Sequence, residues 1–256
     1  MGCKIIAIAN QKGGVGKTTT SVNLSASLAV AEARILLLDF DPQGNASSGI
    51  GFTPDMIKHD IYDVLVNGVD IFQAVYKTEI EGLDLIPARI ELSAAEVELI
   101  QEISRERKLK KAITPILNNY DYILIDCPPS LGLLTVNALT AADTVLIPLQ
   151  CEYYAMEGLG QLLKTIELIK ENLNPELDIE GILLTMFDVR NNLSKEVLKE
   201  VKTHFPEKIF ETIVPRAVAL SEAPSYGKPI ILYQAKSKGA ECYIELAKEI
   251  LSNNKG

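Results

Sequence analysis

The stretch 4–20, KIIAIANQKGGVGKTTT, leaves this chain few folds to choose from. Ile5, Ile6 and Ile8 form an apolar run of strand length, Gly13, Gly14 and Gly16 free the backbone to turn, and Lys17, Thr18 and Thr19 open a helix. A buried strand that passes through a glycine-rich loop into a helix makes an anion cradle. Loop N–H groups and the unpaired N–H groups of the first helical turn converge there, the helix dipole favours negative charge, and the Lys17 ammonium adds a full positive one. The expected guest is a polyphosphate. The common spacing G-x-x-x-x-G-K-[ST] would put glycine at position 11, where Gln11 stands. Lys12 adds a second lysine ahead of Val15 and Lys17. One ammonium is enough for the β/γ-phosphate oxygens, so Lys12 serves either surface solvation or a phosphate beyond its own loop.

A chain of 256 residues that is 47% hydrophobic can bury a sizeable core, and one α/β domain spanning 1–256 is the expectation. The net charge of −9 excludes a protein coated in positive charge, so any nucleic-acid contact needs a local patch. Cys3, Cys127, Cys151 and Cys242 are scattered without a metal-binding spacing and read as reduced cytosolic thiols. No export signal precedes the loop, and Ile6 stands where a myristoylation signal starting at Met1-Gly2 would want Ser or Thr. The most apolar window, 131–149, contains Asn137, Asp143 and Pro148, so it reads as helix, turn and strand rather than a membrane span.

Continuous apolar runs at 34–39, 83–87, 121–127, 144–148 and 179–188 read as strands buried on both faces of a parallel sheet, with 209–214 a shorter strand and 230–232 a further candidate. Helices are expected at 18–31, at 92–117 with a break near Pro115, at 131–142, at 158–172, at 195–205 behind a Ser194 cap, and at 239–251. Two strands end in acid. Asp39 and Asp41 fall on one side by strand alternation, and ligands of such sheets sit beyond the carboxyl ends of the strands, so both should face the phosphate loop. Asp126 ends another strand, where a carboxylate beside a phosphate loop holds Mg²⁺ through water and the Thr18 hydroxyl ligates it directly. Asp41, farther past its strand, is the choice to orient the attacking water, because a loose phosphoryl transition state needs positioning more than proton removal. Met186, in Thr185-Met186-Phe187-Asp188, stands where a guanine-reading loop would carry lysine, which favours ATP. The basic run 105–111 reads as a solvated helix face, and Lys195, Lys199 and Lys202 form one outward stripe.

Together, 12–19 (KGGVGKTT), 39–45 (DFDPQGN), 126–130 (DCPPS), Val214-Pro215-Arg216 and 221–225 (SEAPS) resemble the ParA/Soj partitioning ATPases over nearly the whole chain. The resemblance implies an α/β, three-layer P-loop NTPase fold, a mostly parallel twisted sheet with helices on both faces. It implies Mg²⁺-dependent ATP hydrolysis, with Lys12, Lys17 and Asp41 catalytic and Lys12, Gly13, Gly14, Val15, Gly16, Lys17, Thr18, Thr19, Pro215 and Arg216 contacting nucleotide. It further implies an ATP-dependent face-to-face homodimer in which Lys12 reaches the partner's phosphates, nonspecific DNA bound by that dimer, a ParB-like centromere-binding partner that stimulates hydrolysis, and a cytoplasmic, nucleoid-associated location with no membrane. Arg190 matches a DNA-contacting arginine of the family, whereas Ala219 replaces a second one, which leaves DNA binding either weaker, relocated to Lys195, Lys199 and Lys202, or lost. Two other readings share the loop. A MinD-like membrane-surface ATPase would want a basic amphipathic C-terminal helix, where 246–256 reads LAKEILSNNKG, and a relative of the nitrogenase iron protein would need Cys127 and Cys151 at a cluster.

Overall fold

The computed structural model describes residues 2–253. Strands β1 (Lys4–Ile8), β2 (Ile35–Asp39), β3 (Tyr76–Lys77), β4 (Leu83–Ile86), β5 (Tyr122–Asp126), β6 (Thr144–Gln150), β7 (Asp178–Phe187) and β8 (Ile209–Pro215) form one sheet in the order β3-β4-β2-β5-β1-β6-β7-β8. Every pairing is parallel except β3 with β4. The chain leaves β1 towards β2 on one side, whereas β5 hands over to β6 on the other. The carboxyl end of β1 therefore lies at the reversal of strand order, where open α/β sheets bind ligands.

The helices are α1 (Lys17–Val30), α2 (Asn45–Gly49), α3 (Ile61–Leu65), α4 (Leu92–Glu98), α5 (Lys108–Ile113), α6 (Leu133–Ala141), α7 (Ala155–Asn172), α8 (Asn192–His204), α9 (Val218–Glu222), α10 (Ile230–Tyr233) and α11 (Lys238–Asn253). Strand alternation sorts them into two layers. Ile5, Ala7, Leu36, Leu38, Ile123 and Ile125 face a core shared with α3 to α8, while Ile6, Ile8, Ile35, Leu37 and Leu124 face a second core shared with α1, α2, α10 and α11. With both faces covered, β2 and β5 are buried at every position, which is why their sequences run apolar without alternation. Each fully buried Ile or Leu contributes roughly 1.5–3 kcal/mol against exposure.

The sheet's two edges are closed differently. β3 is only two residues long and carries the exposed Lys77, whose ammonium reaches Asp84 on β4 at 2.8 Å. On β8 the Glu249 carboxylate of α11 accepts the Glu211 and Thr212 backbone N–H groups at 2.7 and 3.2 Å.

Several expectations differ in detail. Residues 230–232 form the start of helix α10, because three apolar residues do not tell strand from helix. The helix expected over 92–117 breaks after α4 into 3₁₀ turns and an αL residue, Ser104, and only α5 resumes it. α7 begins at Ala155, ahead of Gly158. α8 is capped by Asn191, whose Oδ1 accepts the Leu193 N–H at 3.0 Å, while Ser194 lies buried inside the helix.

Candidate functional site

The loop between β1 and α1 is pinned from beneath. Asn10 donates through Nδ2 to Pro148 O at 2.8 Å and accepts the Lys12 N–H at 3.0 Å, and the Thr185 hydroxyl donates to Val15 O at 2.8 Å. Gly14 and Gly16 sit at φ +76° and +90°, the left-handed region where a side chain is strained, and Gly16 is the N-cap of α1. Lys17 is buried, and its ammonium folds back to donate to Lys12 O at 3.1 Å, across the mouth of the loop. Burial pulls its pKa down, against the opposing pull of Asp126, Cys127 and Asp41.

Above this loop lies a cavity of about 490 Å³ whose walls include Gly13, Gly14, Gly16, Lys17, Thr18, Thr19 and Asp41. A second cavity of about 290 Å³ opens beside it, walled by Gly16, Thr19, Met186, Pro215, Arg216 and Tyr243. Gly16, Thr19 and Met186 border both, so a single ligand can run from the cradle into the apolar slot. Met186 holds a left-handed φ of +49° at that junction. The slot suits a flat ring on a sugar, the cradle its phosphates.

The acids take different places. Asp126 and Asp39 are register partners on adjacent strands and both are fully buried. Burial raises both pKa values, and the like charge of Asp126 raises Asp39 further. Asp126 accepts the Ser21 hydroxyl on Oδ1 at 2.7 Å, and the Thr18 hydroxyl draws its pKa down, while its buried Oδ2 has no hydrogen-bond partner. An orphaned carboxylate oxygen beside a threonine hydroxyl and a phosphate cradle fits Mg²⁺, which binds few protein oxygens and takes the rest from water and phosphate. No cluster of three or more His, Cys, Asp or Glu exists among the described residues, as that mode of binding requires none.

Asp41 stands in the turn after β2, lines the cradle cavity, and accepts the Gln43 N–H at 3.0 Å. Asp39 does not face the cavity as alternation implied. The strand ends at Asp39, so the alternation stops there, and its carboxylate turns to Ser47 and the Asp41 N–H.

Lys12 lies outside both cavities, and its ammonium pairs with Glu152 in the loop between β6 and α7. Both side chains stay partly exposed, at 40% and 46%. Arg190 is exposed, but Asp188 grips its guanidinium at 3.0 Å through each carboxylate oxygen, and that grip holds the Asp188 pKa down at about 2. Lys195, Lys199 and Lys202 are exposed along α8, next in the chain to Arg190. Sequence reasoning missed Ser21, Ser47, Glu152 and Tyr243. Only Ser21 carried a signal: it stands one helical turn past Lys17, on the side of α1 that meets β5.

A central strand feeding a phosphate cradle, acids on neighbouring strand ends and an apolar slot beside them define a nucleotide-binding protein of the P-loop class. Residues 3–179 match the family model described as an AAA domain. The sporulation initiation inhibitor protein Soj of Bacillus subtilis (strain 168) is 59% identical over 250 residues, covering 98% of this chain and 99% of that protein. The chromosome partitioning protein ParA of Myxococcus xanthus (strain DK1622) is 58% identical over 251 residues, covering 98% and 89%. Among solved structures, cobyrinic acid a,c-diamide synthase from Mycobacterium smegmatis, with bound ATP analog and magnesium, superposes with a TM-score of 0.87 at 38% identity, covering 99% of this chain and 96% of that one. The cell division ATPase MinD of Pyrococcus furiosus gives 0.79 at 26%, covering 98% and 99%. The chain belongs to the ParA/Soj family of chromosome partitioning ATPases.

Proposed function

We propose that the protein is an ATP- and Mg²⁺-dependent partitioning ATPase, one domain over 1–256, whose ATP-bound face-to-face dimer holds DNA nonspecifically and releases it when a ParB-like partner stimulates hydrolysis. The observation that carries this reading is Lys12, a lysine of the phosphate loop that stands outside its own cavity at the protein surface. Like an arginine finger, a cation so placed becomes useful only when a second copy brings its triphosphate within reach.

In this reading the loop N–H groups and Lys17 hold the β/γ-phosphates, and Thr18 and Asp126 hold Mg²⁺, which supplies charge neutralisation on the phosphate oxygens. Asp41 orients the attacking water as a hydrogen-bond acceptor. Lys12 from the partner copy adds positive charge as the transition state forms, and the slot bordered by Met186, Pro215 and Arg216 takes adenine. DNA phosphates meet Lys195, Lys199 and Lys202, with Arg190 joining when it leaves Asp188. Such a protein would work in the cytoplasm, on the nucleoid.

The rival reading, a MinD-like membrane-surface ATPase, draws on the MinD structural likeness. Against it, the apolar face of α11, including Leu246, Ala247 and Ile250, is buried in the second core and is not available to a lipid surface. Residues 254–256 of the tail lie outside the described residues. No helix among the described residues is long and apolar enough to cross a membrane.

Gel retardation of DNA with ATP, ADP or no nucleotide, over a salt series, tests the proposal. ATP-dependent retention that weakens with salt is expected, and it should drop most in the Lys195→Ala/Lys199→Ala/Lys202→Ala variant and less in Arg190→Ala. Retention without ATP, or none at all, removes the partitioning mechanism.

A further inference from the structure

Asp39 sits beneath the site rather than in it. Its side chain is fully buried, it does not line the cradle cavity, and it accepts three hydrogen bonds. Oδ1 takes the Asp41 N–H at 3.2 Å, and Oδ2 takes both the Ser47 N–H and the Ser47 hydroxyl at 2.7 Å. These donors lie at the two ends of the turn that carries Asp41. The turn is also held from its other side: Ser47 Oγ accepts the Ala88 N–H at 3.2 Å, and a Cβ on Gly44, at φ +63°, would stand 2.9 Å from Ala88 O. Within the turn, the Gly44 N–H donates to Asp41 O at 2.9 Å. Among the described residues, no other carboxylate accepts hydrogen bonds from both ends of this segment.

We infer that Asp39 is the positioning residue of the hydrolytic site: it ties the start of the 41–47 turn to its end and so fixes where the Asp41 carboxylate stands above the cradle. A carboxyl group is suited to this, because its two oxygens can accept from all three donors at once. Asparagine keeps the size but presents an NH₂ group in place of one acceptor oxygen, so either Ser47 or Asp41 loses its acceptor. A displacement of about 1 Å at a group that orients a reacting water costs on the order of 10²-fold in rate. Substrate binding, made mainly by the loop amides and Lys17, should change little.

The inference rests on the hydrolytic role proposed above, and two arms of its test separate the two. In the first, Asp39→Asn is expected to lower kcat at least tenfold while KM for Mg-ATP stays within about threefold, and Asp39→Asn/Asp41→Ala should be no slower than Asp41→Ala alone, because Asp39 acts through Asp41. In the second, which needs no turnover, amide hydrogen exchange across 41–47 should speed up at least tenfold in Asp39→Asn, with 13–18 unchanged. Ser47→Ala, which removes the hydroxyl's bond to Asp39 and its bond from the Ala88 N–H but leaves the Ser47 N–H in place, should show both effects in smaller measure and carries the test if Asp39→Asn does not fold. Parental exchange across 41–47, or a double variant that multiplies the two single losses, overturns the assignment. An inactive parent with the expected exchange pattern would instead overturn the ATPase reading and leave the turn-holding role of Asp39 standing.

Discussion

In the single chain Lys12 is held by Glu152, so the pairing of two copies through their triphosphates proposed above would have to break that contact first. Glu152→Gln removes the charge and keeps the shape. Half-exposed pairs of this kind are worth about 0.2–1 kcal/mol, and a symmetric dimer breaks two of them, so the variant should gain about 0.4–2 kcal/mol in dimerisation. That is a dimer dissociation constant roughly 2- to 30-fold lower. Gln150, whose Nε2 donates to Glu152, remains free to hold the new amide, so the loop itself need not move. The assay is sedimentation equilibrium with Mg-ATP in an Asp41→Ala background, which keeps nucleotide intact, across two salt concentrations. The gain should shrink at the higher salt, as a screened ion pair requires. Dimerisation unchanged or weakened by Glu152→Gln would refute the idea that this carboxylate competes with the partner's phosphates for Lys12.

Asp41→Ala should bind Mg-ATP close to normally and lose turnover by about 10²-fold or more, read by phosphate release; normal turnover would remove Asp41 from the site. Gly44→Ala meets both a left-handed backbone and the Ala88 carbonyl, so it should cost about 2–5 kcal/mol in denaturant unfolding, against about 1–2 kcal/mol for Gly14→Ala, where a Cβ has open space. Equal costs would mean that the Ala88 contact does not matter. Asp126 has a pKa raised by burial, so its protonated form stabilises the fold fully below the unfolded value of about 4, and that stabilisation fades as pH climbs through the folded value. Nucleotide- and metal-free protein should therefore lose melting temperature relative to Asp126→Asn from about pH 4 upward, and Mg-ATP should restore it; a pH-independent difference would contradict the burial argument.

The central sheet was legible because strands covered on both faces read as unbroken apolar runs, and the phosphate loop because glycines and a lysine there answer to one geometry. Gly13, Gly14, Gly16, Lys17, Thr18, Thr19, Asp41, Pro215 and Arg216 all border the two joined cavities. Legibility failed where local signals compete. Short apolar tracts such as 230–232 fit helix or strand alike. At the start of α8 two residue types suited to capping, Asn191 and Ser194, stand three positions apart, and the side chain that caps is Asn191. The contrast between Asp39 and Asp41 was hidden because two residues apart means the same face only while the strand lasts, and it ends between them. Glu152 lies 140 residues from Lys12 and nothing in the sequence pairs them.

Glu249 of α11 occupies the outer amides of the last strand, and at the opposite border two residues and a lysine are all that a visiting strand would find. Both margins therefore disfavour the addition of another chain side by side, the one by its covered amides and the other by its shortness. The face-to-face pairing proposed above would instead use side chains on the carboxyl-end surface, where occupancy of the nucleotide cavity could govern it and its loss undo it.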